Sequence, residues 1–280
     1  MRLTLPGLAL TVVAAVAAAA APATRYERSD APGGGWRVTA QFLNFNEDAL
    51  TLAFDLHPDA VRESLAEFGF AREEINALLA ACAGCDQAEF DRRAAAFYRS
   101  RGIATAMQPN GRLKLTVNVP AVVERNKPRL RSLAQALGRI ASERNYGPDQ
   151  TLGAAVAFVQ TALRYQLPPA TENGRNIIGF YPPPRALELG LGDCDSKSAL
   201  LAAMLAHFSG VRMVGVHIPK HYLVGVARVP RHGDAYVEYR GEPFVLMEAA
   251  GPAWRPPGMI SDQTRDALRT MQGVRIDPLF

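Results

Sequence analysis

Apolar and polar positions follow different rhythms along the chain. Leu8 to Ala21 is apolar throughout except for Thr11. From Trp36 the rhythm is period two, which predicts strands over Trp36–Asn44 and Leu50–Leu56, joined as a hairpin through Asn46, Glu47 and Asp48. Pro58 then opens a helix whose apolar stripe is Val61, Leu65 and Phe68, and further helices are predicted over Arg72–Ala81 and Gln87–Arg101. Ile103–Met107 and Arg112–Val119 read as a second strand pair around Pro109, Asn110 and Gly111, and Pro120 to Glu143 is helical in spacing, with Leu130, Leu133, Leu137 and Ile140 on one side. Residues 36–147 are therefore expected to form a small α+β unit. Its charges are dispersed and it holds no metal-ligand cluster.

The pattern changes at Pro148. Asp149–Tyr165 reads as a helix with Leu152, Val156, Val159 and Leu163 facing inward. Pro168, Pro169, Asn173, Gly174 and Pro182 to Pro184 then mark a long irregular stretch, a kind of segment more often functional than accidental. It runs into Gly-Leu-Gly-Asp-Cys-Asp-Ser-Lys-Ser at 190–198 and an apolar helix reaching Phe208. Strands are predicted at Arg212–Ile218, Tyr222–Val229, Ala235–Tyr239 and Phe244–Glu248, with a short helix near Ser261–Met271. The whole is an α+β chain, with residues 148–280 as its second unit and 24–35, ending in Pro-Gly-Gly-Gly, as a flexible linker before the first.

Composition changes this picture little. The 280 residues carry a net charge of +4, and Arg is scattered among acids instead of lining one face, so nucleic acid is not an expected partner. Arg2, the apolar run and Ala21-Pro22-Ala23 have the order of a secretory signal over 1–23: charged, apolar, then small. The expected product is an exported protein, periplasmic or secreted, with no membrane span after cleavage. Three cysteines in an exported chain leave one thiol spare. Cys82 and Cys85 are close enough for a local disulfide in an oxidising compartment. A redox-active CxxC is the competing reading, but no thioredoxin-like βαβ pattern surrounds it.

The spare thiol is Cys194. Asp193 is a natural N-cap, so the helix begins at or beside the cysteine, and a helix N-terminus favours thiolate and offers free backbone N–H groups to an oxyanion. Gly192 is expected to let the chain turn sharply there. His221, at the entry to a strand, is the candidate base; His217 is its rival, with His207 on the helix and His232 in a turn. Glu248, closing the last of the four strands, is the candidate for orienting the imidazole, with Asp234 and Glu238 as alternatives.

Gly192-Asp193-Cys194, then His221 at a strand entry, then an acid closing a later strand, resembles the bacterial transglutaminase-like cysteine protease superfamily, particularly its exported members. Phe158-Val159-Gln160 with Tyr165, and Ile178-Gly179 before Pro182, add to the likeness, which covers Pro148 to Gly258. The resemblance implies a papain-like core, a Cys-bearing helix packed on an antiparallel sheet. Cys194 would be nucleophile, His221 base and Glu248 orienting acid, with Gln160 lending its amide to the oxyanion hole. The usual family acid is Asp, so Glu248 departs from the pattern. The implied activity is acyl transfer through a Cys thioester, as a peptidase or amidase before a cross-linking enzyme, on a protein, peptide or cell-wall peptide. It needs no cofactor, and a lone Cys, His and Glu make a weak zinc signature. The alternative is a binding or assembly protein that keeps the fold without catalysis.

Overall fold

Val38, Ala40 and Phe42 alternate with less buried neighbours along one strand, and Leu50, Leu52, Phe54 and Leu56 along the next; all seven side chains are buried. Period-two side chains buried on one side force the strands to share a face. In the computed structural model, which describes residues 24–280, they pair antiparallel from Trp36↔Leu56 to Leu43↔Ala49. The expected signal segment at 1–23 lies outside the described residues.

Residues 24–35 are not a flexible lead-in. Arg25–Ala31 is strand β1, antiparallel to β2 (Gly35–Leu43), which pairs in turn with β3 (Ala49–Leu56). The glycines expected to loosen the segment make its turn, with Gly33 and Gly34 at φ 95° and 83°. As an edge strand, β1 is mostly exposed on both faces, and a polar strand carries no period-two apolar signal.

Helices α1 (Pro58–Glu67), α2 (Arg72–Ala81) and α3 (Gln87–Ser100) follow, then the hairpin β4 (Ile103–Met107) and β5 (Leu113–Val117). The helix expected over 120–143 is broken into α4 (Val119–Asn126), a 3-10 turn at Lys127–Leu130 and α5 (Arg131–Glu143). Pro128 sits in that turn, where it can neither donate an N–H nor let Lys127 settle comfortably in a regular helix. Helix α6 (Pro148–Ala157) also stops early, passing into a π turn at Phe158–Ala162 and an extended pair, Arg164–Tyr165. The proline-rich stretch contains α7 (Pro183–Leu189), with proline in its first turn and Gly190 at φ 64° as its C-cap.

Helix α8 (Cys194–Leu205) lies against a five-stranded antiparallel sheet built from β6 (Met213–Ile218), β7 (His221–Ala227), β8 (Tyr236–Tyr239), β9 (Glu242–Met247) and, after α9 (Asp262–Thr270), β10 (Arg275–Pro278). The order is β8-β9-β7-β6-β10, and the sheet curls into a half-barrel. One face, with Tyr222, Val224, Val226, Val245 and Met247, joins the core around α8. The other, with Val216, Ile218, Leu223 and Leu246, packs with Ile260 and the α9 residues Ala267 and Leu268. The α8 core is continuous from Val38 to Ala249, so the boundary expected at 147/148 does not divide it. No helix among the described residues is long and apolar enough to cross a membrane.

Candidate active site

The Gly-Asp-Cys element starts α8. Asp193 is the N-cap; its carboxylate accepts from the Ser196 N–H at 3.0 Å and its carbonyl from the Lys197 N–H at 3.0 Å. The N–H groups of Cys194 and Asp195 have no backbone partner among the described residues, as the first turn of a helix dictates. Gly192 does not make a sharp turn. It is extended, paired with Tyr165, and a Cβ there would stand 3.0 Å from that of Ser196. The glycine is needed for close packing.

Two side chains seat α8. Ser196 Oγ accepts from the Tyr181 N–H at 3.0 Å, and Ser198 Oγ donates to the Tyr222 carbonyl at 3.4 Å, fixing the helix to β7. The Tyr222 backbone, one residue from His221, favours the charged form of the Cys194 sulfur. Pro219 and Lys220 turn the chain from β6 into β7, with Lys220 held at φ 64°, an uncommon conformation for a residue bearing a Cβ.

Cys194, His217 and His221 all border one cleft of about 600 Å³, together with Tyr165, Leu167, Asp195 and residues of β5. A second hollow of about 560 Å³ shares Tyr165, Lys220 and His221 and reaches Glu248. His221 thus stands between thiol and acid. Its Nε2 lies 3.6 Å from Glu248 Oε1, longer than a hydrogen bond, and this leaves Nδ1 as the nitrogen free for the sulfur. The thiol itself is directed to Asp195 Oδ1 at 3.3 Å, with no hydrogen bond to His221.

Glu248 is buried and anchored. Oε1 accepts from Ser261 Oγ at 3.0 Å and from Thr264 Oγ1, and Oε2 pairs with Arg255 at 3.3 Å. Burial raises its pKa, but the nearby His221 imidazole and hydrogen bonds from Thr264 and Ser261 outweigh burial and bring it down to about 2. The rival base is equally placed at the cleft: His217 Nε2 lies 3.2 Å from Asp277 Oδ2. His207 is bound to the Lys127 carbonyl at 2.7 Å, and His232 borders a different hollow. Asp234 pairs with Arg228 at 2.9 Å, and Glu238 lies on β8, opposite Pro243 of β9.

Gln160 does not face the thiol. Its Nε2 donates to the carbonyls of Glu248 (2.7 Å) and Arg255 (3.4 Å) while its Oε1 accepts from the Arg255 N–H at 2.7 Å, so the whole amide is committed to holding the loop after β9. An oxyanion here would instead meet the free N–H groups of Cys194 and Asp195.

The thiol departs from the sequence expectation. Burial, then the charges of Asp195 and Asp193, push its pKa well up, and the Tyr222 backbone offsets only part of this. Asp193 is itself pushed up to about 6, chiefly by burial. The ligand atoms of Asp193, Cys194 and Asp195 lie within 4.8 Å of one another. With Asp193 engaged as N-cap and no imidazole in the set, this is a poor match to a structural zinc site.

Sequence reasoning missed Lys197. Fully buried, its Nζ donates to the carbonyls of Leu163 (2.9 Å) and Gln160 (3.3 Å), which the π turn leaves short of helical partners. Desolvation lowers its pKa to about 7. Helical spacing alone would have flagged it: Lys197 is the only long cation in a helix buried from Ser196 to Leu205. Cys82 and Cys85, beyond α2, are joined in a disulfide. Compared with protein-family models, curated proteins and solved structures, the chain matches none.

Proposed function

We propose that this chain, with a transglutaminase-like or papain-like core, performs thiol-dependent acyl transfer at an amide bond, most simply hydrolysis of a peptide or amide. The observation that carries the reading is Cys194 at the head of α8, bordering the same cleft as an imidazole backed by a buried carboxylate. Because the resting thiol is held protonated, His221 acts as general base during attack and not as half of a preformed ion pair. The Cys194 sulfur bonds to the carbonyl carbon and its proton passes to His221 Nδ1. The oxygen takes the negative charge toward the Cys194 and Asp195 N–H groups. The imidazolium then protonates the departing amine, leaving a thioester. Water, deprotonated by His221, releases the acid and restores the thiol. Glu248 fixes the ring and supports its charged form. The Cys82–Cys85 disulfide supports export to an oxidising compartment, periplasmic or extracellular.

The raised thiol pKa favours a second reading, a binding or assembly protein in which Cys194 is inert. Iodoacetamide alkylation of Cys194, followed by peptide mapping from acid to alkaline pH, separates the two. For the enzyme, His221→Ala slows alkylation at neutral pH by about a hundredfold, the low end of general-base contributions, while His217→Ala does not. Superimposed profiles for the wild type and His221→Ala would leave the binding protein.

A further inference from the structure

The first unit of the chain reaches the thiol cleft through β5, and β5 has an open side. The bonds from Gln108 N–H to the Arg112 carbonyl and from Asn118 N–H to the Gly102 carbonyl, both 2.9 Å, fix the hairpin register. Residues 112, 114, 116 and 118 therefore turn their backbone groups toward β4, and Leu113, Leu115 and Val117 turn theirs away. The hairpin is a two-stranded sheet, and no backbone group of Leu113, Leu115 or Val117 finds a partner beyond it among the described residues. Unpaired edge groups are a template for another strand. The strand also borders the cleft that holds Cys194, through Lys114 to Val117.

The rim adds a charge preference. Lys114, on β5, and Lys220, in the turn from β6 to β7, are both exposed, both border the cleft and take part in no ion pair among the described residues. Arg275, also on the rim, is already held by Asp277 at 3.1 Å. The floor beside the thiol is acidic, with Asp193 and Asp195. A ligand matching this pattern carries negative charge toward its flanks and none at the position over the sulfur.

We propose that the cleft binds an extended peptide by strand addition to the free edge of β5, with acidic side chains flanking the central residue and meeting Lys114 and Lys220. This deepens the acyl-transfer reading by giving its substrate class, but the docking itself does not depend on thiol chemistry. It also gives residues 36–147 a part in the site.

Binding to the full chain carrying Cys194→Ser tests the docking without calling on catalysis. The probes are two fluorescein-labelled nonapeptide pools, alike except that the flanking positions are fixed as Glu in one and Lys in the other, read by fluorescence anisotropy. Two rim charges at about 0.7 kcal/mol each predict that the Glu pool binds about tenfold more tightly, with the margin shrinking as salt is raised. Leu115→Pro removes an N–H that the hairpin itself does not use and is expected to weaken both pools. The double variant Lys114→Glu, Lys220→Glu leaves the backbone intact and is expected to reverse the preference. Equal binding of the two pools, or a preference untouched by the double variant, would overturn the proposal. So would an edge that pairs with a second copy of the chain, seen as a Leu115-dependent dimer with no peptide bound. Failure of the acyl-transfer reading shows separately, in the alkylation of the unmodified thiol.

Discussion

At the scale of single residues, the thiol shows how a helix N-terminus can be outweighed. The dipole and the Tyr222 backbone favour thiolate, yet burial and two neighbouring carboxylates favour the protonated form more strongly. Asp195, the acceptor of the thiol hydrogen bond, is the charge to remove. Asp195→Asn is expected to lower the thiol pKa by about one unit, speeding alkylation at neutral pH about tenfold. A stopped-flow or mass-spectrometric rate measurement checks this, and an unchanged rate would mean that burial alone holds the proton. The sequence showed the acids flanking Cys194, but not how deeply the sulfur is sunk. Burial is a property of what packs on top, and those residues come from elsewhere in the chain. Gln160 teaches the same lesson: only the family resemblance put its amide at the thiol, while its direction is set by carbonyls at Glu248 and Arg255.

Among elements, those with strong rhythm were legible: β2, β3, α2, α3, α8 and the sheet strands β6 to β9 lie close to where apolar spacing puts them. Those that escaped have a physical reason. β1 and β10 are edge strands with few apolar side chains, and α7 hides in a proline-rich run because proline is tolerated in the first turn of a helix. The π turn after α6 escaped because its residues keep a helical apolar pattern; what distinguishes it is the Lys197 ammonium bound to its carbonyls. That link has a measurable signature. A lysine whose pKa falls from 10.5 to about 7 on folding is charged in the unfolded chain but not in the folded one between those values. The unfolded chain then binds more protons, so stability rises with pH across that window. Chemical-denaturation midpoints are expected to climb above pH 7 in the wild type until unfolded thiols ionise near about 8.5. There Cys194, held protonated only in the folded chain, opposes the gain, and Lys197→Met should remove the part of the slope due to this lysine. An unaltered slope would locate the titration elsewhere.

Taken whole, the molecule's larger core is shared between the two halves of the chain, and only the smaller cluster under α9 belongs to residues 148–280 alone. Val38, Phe42, Phe54 and Leu133 pack in the same cluster as Phe158, Leu201 and Val224, and the Phe42 and Phe158 rings stand 5.8 Å apart. Unfolding followed by circular dichroism and by tryptophan fluorescence is expected to give coincident transitions, and a 148–280 fragment is expected to remain unfolded. A well-folded fragment would restore the two-domain division that the sequence pattern suggested. Tyr26 carries this interdependence furthest. It lies on the first strand described, yet its hydroxyl donates to the Leu187 carbonyl, and its ring fills the space a side chain at Gly190 would need, four residues before the thiol. Arg275, near the end of the sheet, also borders the cleft. During synthesis, therefore, the Tyr26 hydroxyl waits for a partner made 161 residues later, and the cleft has no complete outline until Arg275 has been added. Any chemistry at this thiol would have to wait for that last bordering residue, so the outline of the cleft is set late in synthesis.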